Sequence, residues 1–289
     1  MERQLTGTKI YEIASAQLVA QFCPAMGGRL LSLHDREARD IVIPTQAQSF
    51  DVTNWPRGGA YPLVPYHNRL AGAKIKIGDA FVNLRAHPAA MPNTLHGPGH
   101  ARPWAAGVHE ENRFSMLLDY RADEDWPWDF RAEQSFELID NRLRLSMTVE
   151  NRSDRPMPGG MGWHPYFASR DPVKSDATHI WHHLPDYLPD GRRSEFDGNA
   201  GIAGPTAYLD NWTQAHVTLT EQTSVQIVAS DAFTFLVVHR GDPSHVCVEP
   251  VTHLANAWNM GVPADNSGAV ILAPGTEIHG VIEIAYSRP

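Results

Sequence analysis

Apolar and polar residues alternate along much of this chain. Over residues 142–149 the run Arg-Leu-Arg-Leu-Ser-Met-Thr-Val changes character at every step. A period of two is the signature of a strand with one face on a core and the other in water. Asp140-Asn141 just before it is turn chemistry, because both side chains tolerate a left-handed backbone. Residues 135–139 on the other side of that turn complete a predicted hairpin. Ile278, Gly280, Ile282, Ile284 and Tyr286 hold alternate positions of another long strand. Residues 114–120, 225–228 and 233–239 also read as strands, two of them apolar enough for burial on both faces.

No segment keeps an apolar stripe at i, i+3, i+4 and i+7 for three turns with a cap at each end. The 22 Gly and 22 Pro cut the chain into short pieces. Many short strands between Gly/Pro turns predict a β-sandwich or barrel. No repeat, low-complexity tract or linker divides residues 1–289, so one large all-β domain is expected. Residues 171–204, rich in Asp, Pro, His and Gly, are expected to form long loops.

Composition narrows the function. With 42% hydrophobic and 20% charged residues the chain has the make-up of an ordered globular protein. A net charge of -9 argues against general nucleic-acid binding, which needs a surplus of Lys and Arg, but leaves room for local arginines to meet an anionic small molecule. Cys23 and Cys247, the only cysteines, make neither a disulfide framework nor a cysteine-rich zinc site. The first ten residues are polar where a signal peptide would be apolar, and no run approaches the ~18 apolar residues of a membrane helix. The expectation is a cytoplasmic protein with no membrane partner.

The candidate chemistry centres on Gly160-Met161-Gly162-Trp163-His164-Pro165-Tyr166-Phe167 and, far along the chain, His245-Val246-Cys247-Val248-Glu249-Pro250. Pro165 biases His164 toward an extended backbone, and Trp163, Tyr166 and Phe167 offer an apolar wall. An imidazole so placed suits a proton donor near neutral pH. A carboxyl among the neighbours of Glu249 is either hydrogen-bonded and structural or functional, since burying it unpaired costs several kcal/mol or raises its pKa. Arg69, in Pro65-Tyr66-His67-Asn68-Arg69-Leu70, offers a planar fork of donors to hydroxyls or a carboxylate, or else bonds nearby carbonyls. His96 lies among glycines and Pro98 that let backbone approach a ligand closely. Asp210 beside Trp212 is a common sugar-binding pairing and also an ordinary turn. His179, His182 and His183 form the densest histidine cluster, but no carboxylate or cysteine stands at metal-ligand spacing, and no metal site is expected there.

Taken together, Gly27-Gly28-Arg29-Leu30, Pro65–Leu70, Leu95-His96-Gly97, Gly162–Phe167, Leu209-Asp210-Asn211, Val248-Glu249-Pro250 and Pro274-Gly275-Thr276-Glu277 resemble the aldose 1-epimerase (galactose mutarotase) family, in order and over nearly the whole chain. The resemblance implies a large β-sandwich with a monosaccharide in a groove over one sheet, and neither metal nor organic cofactor. It implies Glu249 as catalytic base, His164 as catalytic acid and His96 near the ring oxygen and C1. Arg69 and Asp210 match positions that hold sugar hydroxyls, and Asn68 is grouped with them as substrate-binding; a monomer or homodimer is expected. Leu70, Trp163 and Trp212 depart from the family's usual Ile, Phe and Phe, with Trp163 expected to alter the pocket wall.

The chemistry so implied is anomer exchange. A proton leaves the C1 hydroxyl, one reaches the ring oxygen, the ring opens, C1–C2 rotates and the ring recloses. At neutral pH the glutamate is expected to be ionised and the histidine to hold its proton. One alternative is a phosphorylated or sulfonated sugar met by Arg170 and Lys174. The other is a carbohydrate-binding module without turnover.

Overall fold

The computed structural model describes residues 2–4, 8–45 and 49–288. Two large antiparallel sheets dominate it, one of eight strands and one of eleven. The predicted hairpin is the centre of the smaller sheet. Phe130–Ile139 and Arg142–Asn151 pair along their whole length, and Asp140 in the turn takes a φ of 50°. Glu277–Ser287 adds to the hairpin on one side and Arg113–Tyr120 on the other. In Glu277–Ser287 the buried positions are Gly280, Ile282, Ile284 and Tyr286, as the alternation predicts. The only α-helix among the described residues is the single turn Ala264–Ser267.

The larger sheet carries Pro189–Glu195, His179–His183, Thr206–Asp210, Phe235–His239, Val246–Val251 and Gly162–Phe167 in that spatial order, and continues toward the N-terminal strands. Ala60–Leu63 pairs with both Gly162–Phe167 and Arg29–Asp35. Phe22 of Leu18–Cys23 meets Phe114 and Phe136 of the smaller sheet at ring-centroid distances of 4.9 and 4.6 Å, so the two sheets share one core. Each such buried ring contributes about 1.5–3 kcal/mol through area alone.

The central strands of the larger sheet are apolar on both sides because both sides are covered. Leu236, Val238, Val246, Val248, Trp163 and Phe167 face the core between the sheets. The intervening Phe235, Val237, Cys247, Val251 and Tyr166 enter a second apolar cluster with Tyr61, Trp181 and Tyr208. Strand parity therefore corrects one expectation: Trp163 and Phe167 belong to the inter-sheet core, and Tyr166 alone of the three aromatics lies on the face of His164.

Residues 171–204 are also more regular than expected. His179–His183 and Pro189–Glu195 form a hairpin at the edge of the larger sheet, and Lys174–Ser175 pairs with Gln214–Thr220. The outer strand of that hairpin, Pro-Asp-Gly-Arg-Arg-Ser-Glu, is exposed over its last five residues. Its charged sequence hides the strand from a hydrophobic pattern and blunts an edge that would otherwise pair with another chain.

Candidate active site

Register brings the two remote motifs together. Gly162 stands against Val251 and Tyr166 against Cys247, which places His164 opposite Glu249 on adjacent antiparallel strands. The same transverse row continues through His164↔Tyr61 on one side and Glu249↔Val237, Val237↔Tyr208 and Tyr208↔Trp181 on the other. Residues opposed in this way project side chains from one face. His164 Nε2 lies 3.3 Å from Glu249 Oε1, and both side chains are buried. The His164 ring stacks on Tyr61 and Tyr166 at 4.6 and 4.9 Å.

A cavity of about 430 Å³ opens over this row, within the size range of small-molecule sites. His164, Glu249, Val237 and Tyr208 line its floor, with Thr206, His239 and Tyr166 from the next row. Loops supply the rest, notably Asn68-Arg69, Leu95-His96, Trp55, Arg57 and Tyr187.

The loop residues are held by a polar network. The Asn68 N–H donates to His96 Nδ1 at 3.1 Å, and the His96 N–H donates to the Asn68 carbonyl at 2.8 Å. Because Nδ1 accepts, the proton of the neutral His96 ring must sit on Nε2, which makes that nitrogen a fixed donor. Both residues take a left-handed backbone, φ 56° at Asn68 and 59° at His96, a strain that persists only where the surroundings enforce it. Asn68 Oδ1 accepts from the Arg69 backbone and guanidinium, and its Nδ2 donates to the Tyr208 hydroxyl at 3.0 Å. Asn68 thus spends its amide on positioning Arg69 and Tyr208. Arg69 lies over the Tyr187 ring at 4.6 Å with no carboxylate partner among the described residues.

Burial sets the charge states. It raises the Glu249 carboxyl to about 8, while Oε2 has no partner among the described residues. It holds His164 well below the usual histidine range, helped by the charges of His239 and Arg29, and His96 likewise, helped by His164 and His100. Burial thus works against the expected ionised glutamate and protonated histidine. Taking a carboxylate out of water is costly, which favours the protonated form of Glu249. His164, Glu249 and Cys247 also offer ligand atoms within 4.8 Å of one another, the one trio among the described residues that could hold a metal ion. Cys247 is buried and free, and its thiol is pushed well up by burial and by Glu249.

Asp210 does not join this cavity. It pairs with Phe235, in the row that runs to Val251 and Gly162, one step beyond Glu249. Its oxygens accept from Arg193 Nε and Nη2, both at 2.8 Å, and from Trp181 Nε1 at 2.7 Å. Trp212, its expected partner, is buried and donates to the Phe233 carbonyl. Arg170 and Lys174 are exposed and lie outside the cavity. Of the histidine cluster, His182 Nε2 turns to Ser194 while His183 meets Leu184 and Thr206 carbonyls. Sequence reasoning missed Tyr208, Tyr61, Trp55, Arg57 and His239. Parity could have found Tyr208, two residues before Asp210 and on its face; the loop residues carry no such signal.

Fold and site together define a class, an all-β sandwich with a buried histidine–glutamate pair beneath a cavity on one face of its larger sheet. The chain belongs to the aldose 1-epimerase family, whose model matches residues 9–285. It is 23% identical over 235 residues to YphB of Escherichia coli strain K12, covering 74% of this chain and 79% of that protein. A galactose mutarotase-like protein from Clostridium acetobutylicum has the same fold at 20% identity and a TM-score of 0.87, covering 100% of this chain and 99% of the other. Galactose 1-epimerase from Lactobacillus acidophilus NCFM superposes with a TM-score of 0.75 at 14% identity, over 98% of this chain and 99% of its own. Among the described residues no helix is long and apolar enough to cross a membrane.

Proposed function

We propose that this chain is an aldose 1-epimerase that interconverts the α and β anomers of a monosaccharide, with Glu249 and His164 as the proton-exchanging pair. The observation that carries the reading is the 3.3 Å approach of two buried titratable groups at the floor of a sugar-sized cavity. Ring opening needs one group to take the C1 hydroxyl proton and another to supply the ring oxygen. One proton shared by the pair serves both needs. Whether it rests on carboxyl or imidazole, one partner is a donor and the other an acceptor, and reclosure reverses the roles. His96, with its proton fixed on Nε2, supplies a hydrogen bond to a sugar oxygen as charge develops there. Arg69 holds hydroxyls, and Asn68 holds Arg69.

General acid–base catalysis contributes ~10²–10⁴-fold per positioned group. Mutarotation already proceeds in water, so one such pair with orientation suffices. Polarimetry on freshly dissolved aldoses tests the reading. Wild-type protein should accelerate anomer exchange saturably, and His164→Asn should lower kcat by about a hundredfold or more. Saturable binding of aldoses with no acceleration would instead make the chain a binding module.

A further inference from the structure

The cavity gathers two guanidinium groups within a chain of net charge -9. Arg57 and Arg69 both line it, and neither meets a carboxylate among the described residues, although Arg102, Arg113, Arg121, Arg131 and Arg193 all do. The opposing charge at the rim is Asp242, whose Oδ1 is engaged by the Ser244 N–H and hydroxyl. Glu249 does not neutralise the arginines while it keeps its proton.

The position of Arg57 is built. Arg29, fully buried, donates from Nη1 to the carbonyls of Gly58 at 2.8 Å and Pro56 at 3.3 Å, the residues on either side of Arg57. The Arg29 guanidinium lies 4.6 Å over the Tyr61 ring, and Tyr61 stacks on His164. On the same loop, Trp55 Nε1 donates to the Tyr61 hydroxyl at 3.0 Å, and the Arg57 guanidinium sits 5.6 Å over the Trp55 ring. One buried cation thus fixes the loop that presents a second, unpaired cation to the cavity. The charge of Arg57 also reaches His164, His239 and His245, each already lowered first by burial.

Resting on the proposed epimerase activity, we infer that the preferred substrate is an aldose bearing an oxyanion away from C1 (a carboxylate, phosphate or sulfonate), with Arg57 as the residue that selects it and Arg69 as its support. A guanidinium on a loop clamped from beneath recognises such a group by paired hydrogen bonds at little ordering cost. This moves the anion subsite from Arg170 and Lys174 to the cavity itself.

The test compares kcat/KM by exchange NMR for glucose, glucuronate and glucose 6-phosphate at low ionic strength, in wild type, Arg57→Gln, Arg57→Lys and Arg170→Gln. In wild type at least one anionic sugar should exceed glucose by about tenfold or more, and the faster arm names the oxyanion. Arg57→Gln should reduce that anionic-to-neutral ratio by about ten- to a hundredfold. Arg57→Lys should restore part of it, and Arg170→Gln should leave it intact. Glucose turned over as well as both anions, or a ratio unmoved in Arg57→Gln, would overturn the inference while leaving the epimerase reading in place. If no aldose is turned over, that reading fails instead, and calorimetric titration with glucuronate and glucose 6-phosphate decides the subsite. Weaker binding of an anionic sugar to Arg57→Gln than to wild type supports it; equal binding, or none, overturns it.

Discussion

Glu249 is a carboxyl that folding has made hard to ionise. Its folded value near 8 lies above its ordinary 4.5, so between those two pH values the native state holds a proton that the unfolded chain has released. Stability contributed by this group therefore falls as pH rises from 4.5 to 8. Glu249→Gln removes that penalty, and its Tm should exceed the wild-type value by a few degrees at pH 8, the gap narrowing toward pH 5. Equal pH dependence of Tm in the two proteins would show that Glu249 is not a buried acid. Activity has the complementary dependence. In the proposed mechanism the competent pair carries one proton, which is lost above about 8, while a second is gained only well below 6.5. In wild type kcat/KM should be flat near neutrality and fall as pH passes 8. A rise through pH 8 would mean that the fully deprotonated pair is the active form.

At the scale of elements, parity and register decide what the site contains. The Glu-Pro and His-Pro-Tyr-Phe motifs were legible in the sequence because each packs chemistry into a few residues, and the strand pairing makes them neighbours. Asp210 was misplaced by the same kind of motif. Its side chain points from the right face, but one pair further along, where Arg193 and Trp181 consume both oxygens. Asp210→Asn should therefore cost about 1–3 kcal/mol of stability by leaving Arg193 poorly paired, with KM for the sugar changed less than about threefold. A KM raised tenfold at unchanged Tm would return Asp210 to the substrate. The loop behind His96 makes a separate demand. Gly97 has φ 53°, and an added Cβ would stand 2.5 Å from the Val64 carbonyl oxygen. Gly97→Ala should lower Tm and, by displacing His96, raise KM; differential scanning calorimetry with steady-state kinetics checks both.

Across the whole molecule, hydrophobic pattern reported one sheet well and the other poorly. The smaller sheet has one face on the core and one toward water, so its strands alternate and could be read. The larger sheet is covered on both faces, which turns Phe235–Val238 into an unbroken apolar run and removes any sign of which side holds the cavity. Its outer hairpin over 179–195 is polar and read as loop. The rim of the cavity comes from residues between 55 and 96 and between 187 and 245, and no local pattern predicts that they converge. Charge is distributed in the same nonlocal way, an acidic chain around a cavity with two arginines that meet no carboxylate among the described residues.

Proton exchange between Glu249 and His164 at an anomeric centre is the central step of the proposed activity. Exchange NMR of a preferred aldose, comparing wild type with Glu249→Gln at pH 7, tests it most directly. The amide keeps the shape of the carboxyl and cannot move a proton, so the enzyme-dependent exchange rate should fall by a thousandfold or more, to about the level of the sugar in buffer. A Gln variant that exchanges anomers at the wild-type rate would contradict the assignment.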